Sequence, residues 1–126
     1  MAYSVALDGG IIRIRLYGTF GRDDLLNLDA EVSAVEHSSP APFDRITVIE
    51  GAAEDGLTPE HVRELVRTRR ARPLIGPTRS ALVAARDAEY GFARMYEMLY
   101  DRPGLTIRVF RAADEAMAWL APDSRA

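Results

Sequence analysis

A chain of 126 residues, 48% of them hydrophobic, is long enough to bury one core and short for two. It has no cysteine, which excludes disulfides, thiolate metal sites and cysteine nucleophiles. Its net charge of -3 offers no general attraction to nucleic acid or an anionic membrane, and because all 16 basic residues are arginine, no Schiff-base or phosphate-loop lysine is available.

In chain order, "YSVALDGGIIRIRLYG" alternates apolar and polar residues around Asp8-Gly9-Gly10 and predicts a two-stranded hairpin. "RDDLLNLDAEVSAVEH" places Leu25, Leu28, Val32 and Val35 on one face, with Asp23 and Asp24 near the positive end of the dipole, and predicts the first helix. "SSPAPF" breaks it, and "RITVIE" reads as a buried, β-branched strand. In "TPEHVRELVRTRRA", Thr58 can cap, Pro59 suits the first helical position, and Val62, Leu65 and Val66 form the inner face.

After the punctuated "RPLIGPT" come the strand "SALVAA" and a helix over roughly residues 88–100, ended by Asp101, Pro103 and Gly104. The strand "LTIRVF" and the helix "ADEAMAWL", with Ala116, Trp119 and Leu120 inward, complete the chain. The order predicts an α/β sandwich: a mostly parallel five-stranded sheet with an antiparallel N-terminal strand and about four helices. One domain is expected over residues 1–126, with residues 122–126 as a flexible tail.

In "EYGFARMYEML", Phe92, Met95, Tyr96 and Leu99 follow the spacing of a buried helix face. Gly91 interrupts it, and because an interior glycine costs about 1 kcal/mol relative to alanine, it suggests a close approach by the sheet or by a ligand. Tyr90 and Arg94 lie one turn apart, so a cleft is one expectation here, with Arg94 holding an anionic head and Phe92 or Met95 an apolar tail. Core packing is the other. Arg63, Arg67 and Arg70 share a face of the second helix and form a candidate anion patch, whose alternative is a solvated face that complements the helix dipole. Arg69 and Arg72 lie to one side of it.

The acidic residues Glu50, Glu54, Asp55 and Glu60 fit no calcium-loop spacing, and His37 and His61 are too few for a three-histidine zinc site. The serines lack a GxSxG elbow and no GxGxxG follows a strand. The expectation is therefore a protein without catalytic residues, metal or cofactor. The start has no basic region or long apolar run, and nothing later reaches the roughly 20 apolar residues of a membrane helix, so a cytoplasmic chain without a transmembrane segment is expected.

"LYGTFGRDDL", "ALVAARDAEYGFARMYEML" and "IRVFRAADEAMAWL", in this element order, resemble the SpoIIAA-like proteins of the STAS superfamily, related in fold to anti-sigma-factor antagonists and CRAL-TRIO lipid-transfer proteins. The resemblance spans nearly the whole chain and implies a cytoplasmic bacterial protein with a non-catalytic regulatory role, docking to a protein partner or to itself. It also implies a phosphorylation switch at the helix after the third strand. "EGAAEDGLTPEHV" has no serine, which puts the switch in doubt: Thr58 is the one hydroxyl left as switch candidate, and its simpler reading is a plain N-cap before Pro59. The lipid-transfer relatives imply the alternative, a small carrier or sensor for an amphipathic anionic ligand. A wide apolar surface patch favours the first role, an enclosed apolar cavity with an arginine at its mouth the second.

Overall fold

A computed structural model describes residues 3–18, 21–50 and 58–122. The hairpin forms as read: β1 (Tyr3–Asp8) and β2 (Ile11–Tyr17) pair antiparallel through Gly9 and Gly10, whose φ values of 58° and 83° suit a tight two-residue turn. α1 (Arg22–Glu36), β3 (Asp44–Glu50), α2 (Pro59–Arg70), β4 (Thr78–Val83), α3 (Asp87–Leu99), β5 (Leu105–Phe110) and α4 (Ala113–Leu120) follow. The sheet runs β1-β2-β3-β4-β5, and its last four strands are parallel.

Strand alternation gives the sheet two faces with different fates. Ile12, Ile14 and Leu16 of β2 and Leu82 of β4 bury against Leu25, Leu28 and Val32 of α1, Val62, Leu65 and Val66 of α2, and Ala93 and Tyr96 of α3. Three successive crossovers of one hand put these helices on one side. On the other, Ala116 and Leu120 of α4 cover Ile46, Ala81 and Val83, with Trp119 partly buried beside Phe110. Ile11 at the start of β2 packs against this cluster, and beyond it the same face of the hairpin is polar, with Arg13 paired to Asp8 and Arg15 to Glu50.

Two details differ from expectation. β3 is not uniformly apolar: Arg45 and Thr47 point from it toward the three-helix side and are 5% and 9% exposed. The buried face of α3 is turned so that Glu89, Ala93, Tyr96 and Tyr100 face inward, Phe92 and Met95 are partly buried, and Leu99 is exposed. Gly91 consequently lies outside. A Cβ there would meet no atom of the described residues within 4 Å, which overturns the expectation that the sheet approaches it. Pro122 is described, while residues 123–126 of the expected tail, and Glu54 and Asp55, lie outside the described residues.

Candidate functional site

Register decides what the three-helix side of the sheet presents. Ile12, Arg45, Ser80 and Ile107 stand in one row across β2 to β5, and Ile14, Thr47, Leu82 and Val109 in the next. Three polar side chains thus interrupt the centre of an otherwise apolar face, where the helices should bury hydrocarbon.

A cavity of about 80 Å³ lies beneath α1, α2 and α3 at this point. Ten of its lining residues are apolar, among them Ile49, Leu65 and Phe92, and four are polar: Thr47, Ser80, Arg69 and Tyr96. Its size is several times the roughly 10–15 Å³ that one water needs. The polar four are donors short of acceptors. Arg69 Nε donates to Asp29 Oδ1 at 2.9 Å and Nη1 to the Tyr96 hydroxyl oxygen at 2.8 Å. Among the described residues Arg69 Nη2 has no partner, the Tyr96 hydroxyl has no acceptor, and the Thr47 and Ser80 hydroxyls have no hydrogen bond.

Burial opposes the charge on Arg69, but the Tyr96 oxygen and the Asp29 carboxylate outweigh it and raise the pKa, so the guanidinium is a permanent cation. Burial also raises the Tyr96 pKa, against the pull of Arg69, and keeps the phenol a neutral donor. Donors and hydrocarbon thus line the same cavity, which can meet an acceptor-rich or anionic group with the one and an apolar chain with the other.

On its far side Arg69 belongs to an ionic network. Asp29, 4% exposed, receives Arg69 on Oδ1; Arg72 Nη1 lies 2.9 Å from Oδ2 without hydrogen-bond alignment and donates to the Asp29 carbonyl at 3.1 Å. Arg45 Nη2 stands 2.6 Å from Glu36, and Arg102 Nη1 donates to the carbonyls of Arg69 and Arg72, which ties the end of α2 to the start of β5.

Of the residues expected at a site, Phe92 lines the cavity and Met95 packs against the core. Tyr90 and Arg94 are not brought together: Tyr90 lies 3.9 Å below the Arg111 guanidinium, while exposed Arg94 pairs with Glu97. Arg63 and Arg67 both pair with Glu60, and Arg70 donates to the Leu99 carbonyl, so their face is largely committed. Thr58 caps α2. Its oxygen accepts from the His61 amide at 3.3 Å, and His61 Nδ1 accepts from the Thr58 amide. Glu50 and Glu60 hold arginines, and among the described residues no group of three His, Asp or Glu side chains is placed to hold a metal.

Thr47, Ser80, Arg69, Tyr96, Asp29 and Arg45 escaped the sequence reading as site residues. Two signals were available: Arg45 and Thr47 alternate within a β-branched strand, and Asp29 follows Leu28 at a core position between Leu25 and Val32. Among the described residues no helix is long and apolar enough to cross a membrane. The chain matches no family model, no curated protein and no solved structure.

Proposed function

We propose that this protein is a non-catalytic carrier or sensor that holds one small amphipathic anion in the cavity beneath its three helices. The observation that carries the reading is that Arg69, Tyr96, Thr47 and Ser80 line a cavity otherwise lined by hydrocarbon. A carboxylate would satisfy several of these donors at once, and its chain would meet Leu65, Ile49 and Phe92. The head-group arginine is Arg69, in place of Arg94. The reading agrees with the resemblance to SpoIIAA-like proteins, whose fold relatives include lipid-transfer proteins, and with a cytoplasmic setting. A docking module would be favoured by a wide apolar patch, whereas the exposed large hydrophobics among the described residues are Leu7, Ile75, Met98 and Leu99, of which only Met98 and Leu99 adjoin in sequence.

Calorimetric titration with straight-chain carboxylates from butanoate to decanoate, and with the matching alcohols, tests this. Carboxylates should bind at least about tenfold tighter than alcohols, as expected for one charge-assisted hydrogen bond, with affinity peaking at one chain length. Thr47→Val combined with Ser80→Ala should reduce carboxylate affinity about tenfold or more and leave the alcohols little changed. Absence of binding at every length, or equal affinity for acid and alcohol, would refute the proposal.

A further inference from the structure

A second pocket, of about 30 Å³, lies where the C-terminal ends of α1 and α2 meet the first residues of β3 and the turn before β5. Four guanidiniums line it, Arg45, Arg69, Arg72 and Arg102, against two carboxylates, Asp29 and Glu36. The excess is two positive charges, and the negative dipole ends of α1, α2 and α3, whose C-cap Tyr100 lines the pocket, count roughly half a charge each and leave about half a charge uncompensated. Arginine donors also outnumber their acceptors. Arg45 is 5% exposed and its Nε, buried, has no hydrogen-bond partner; among the described residues Nε and Nη2 of Arg72 and of Arg102 have none either. A buried cation with an unmet donor is expensive unless an acceptor arrives.

His37 closes one side. Its Nδ1 engages the Ser33 carbonyl at 2.7 Å, and the ring lines the same pocket. The volume suits two or three waters, the space that the oxygens of one tetrahedral anion would take over. Guanidinium forks match phosphoryl oxygens in pairs, and their charge does not titrate away.

We propose that this cleft is a binding site for a phosphoryl group, free or as the end of a phosphomonoester, held by the guanidiniums of Arg45, Arg72 and Arg102. It is separate from the carboxylate cavity, although Arg69 lines both. Glu36 sits on Arg45 and is the group a phosphoryl oxygen displaces.

Titration with inorganic phosphate, with chloride at matched ionic strength as reference, tests the site. Phosphate should bind saturably and raise the melting temperature where chloride does not. Arg102→Gln should weaken phosphate at least tenfold, and Glu36→Gln should strengthen it severalfold by freeing Arg45. Both variants should retain carboxylate binding in the cavity, which separates failure here from failure there. If Arg102→Gln does not fold, the gain in Glu36→Gln still decides. Glycerol phosphate binding more tightly than inorganic phosphate would identify an esterified phosphoryl group as the ligand, and the reverse order the free ion. A phosphate effect no larger than that of chloride, or unchanged affinity in Glu36→Gln, would overturn the proposal.

Discussion

The cavity and the cleft share one side chain and solve opposite problems. On the cleft side of Arg69, carboxylates answer guanidiniums: Asp29 meets Arg69 and Arg72, and Glu36 meets Arg45. On the cavity side, hydroxyls and a spare guanidinium nitrogen face hydrocarbon with no acceptor among the described residues. Both arrangements interrupt a sheet face that would be more stable if apolar. The difference teaches that buried polarity here is met to different degrees: in the cleft two carboxylates answer part of an arginine cluster and fasten helix ends, whereas in the cavity no carboxylate answers the hydroxyls.

The largest expected effect comes from breaking the fastened side. Asp29→Ala leaves two guanidiniums, one of them Arg69 at 10% side-chain exposure, without their carboxylate. Urea unfolding should show a loss of about 3–5 kcal/mol, the usual cost of orphaning a buried charge. A loss below about 1 kcal/mol would mean that water solvates Arg69 and Arg72, as it does exposed pairs, and the contrast between the two sides would fail.

On the cavity side the sign should reverse. Thr47→Val removes a cavity-lining hydroxyl that has no hydrogen bond among the described residues and keeps the shape, so the unliganded protein should lose no stability and gain up to about 1 kcal/mol. Carboxylate affinity should fall in the same variant. A loss of stability would show that the hydroxyl is satisfied, and the cavity would then be ordinary core.

Gly91→Ala should add about 0.5–1 kcal/mol, since the helix gains propensity and the new methyl meets no atom of the described residues within 4 Å. Because Gly91 touches neither region, ligand affinities should not change.

How much of this was legible depends on the range of the interaction. The Gly9-Gly10 turn, the Thr58 cap and the order of nine elements rest on neighbours within a few residues, and all of them formed as read. The expectation that Gly91 packs on the sheet failed because a single glycine does not say which face of its helix it occupies. The core of α3 is carried instead by Ala93, Tyr96 and Tyr100. Arg69 reaches Asp29 across 40 residues and Tyr96 across 27, and Thr47 and Ser80 join one wall only through strand register. Such partners are set by packing. Arg94 was the more visible arginine from sequence because it neighboured aromatics, and it points to solvent beside Glu97.

The smallest effect concerns an ion pair near the cavity. Arg22 opens α1 one turn before Leu25, Glu64 precedes Leu65 in α2, and both leucines line the cavity. Arg22 Nη2 donates to Glu64 Oε1 at 2.7 Å and Nε to Oε2 at 2.8 Å, so the pair joins the two helices where they cover the ligand space. The Arg22 hydrogen bonds hold the Glu64 pKa below its ordinary 4.5. A carboxylate depressed in the folded state contributes stability that is complete above its unfolded pKa and disappears as pH falls through the folded value. Melting temperature followed from pH 6 downward should therefore fall more steeply below about pH 4.5 in the wild type than in Glu64→Gln, since that is where Glu64 begins to gain its proton. The two curves should converge in acid. Equal slopes would show that Glu64 does not tie α1 to α2, and closure of the cavity would then rest on packing alone.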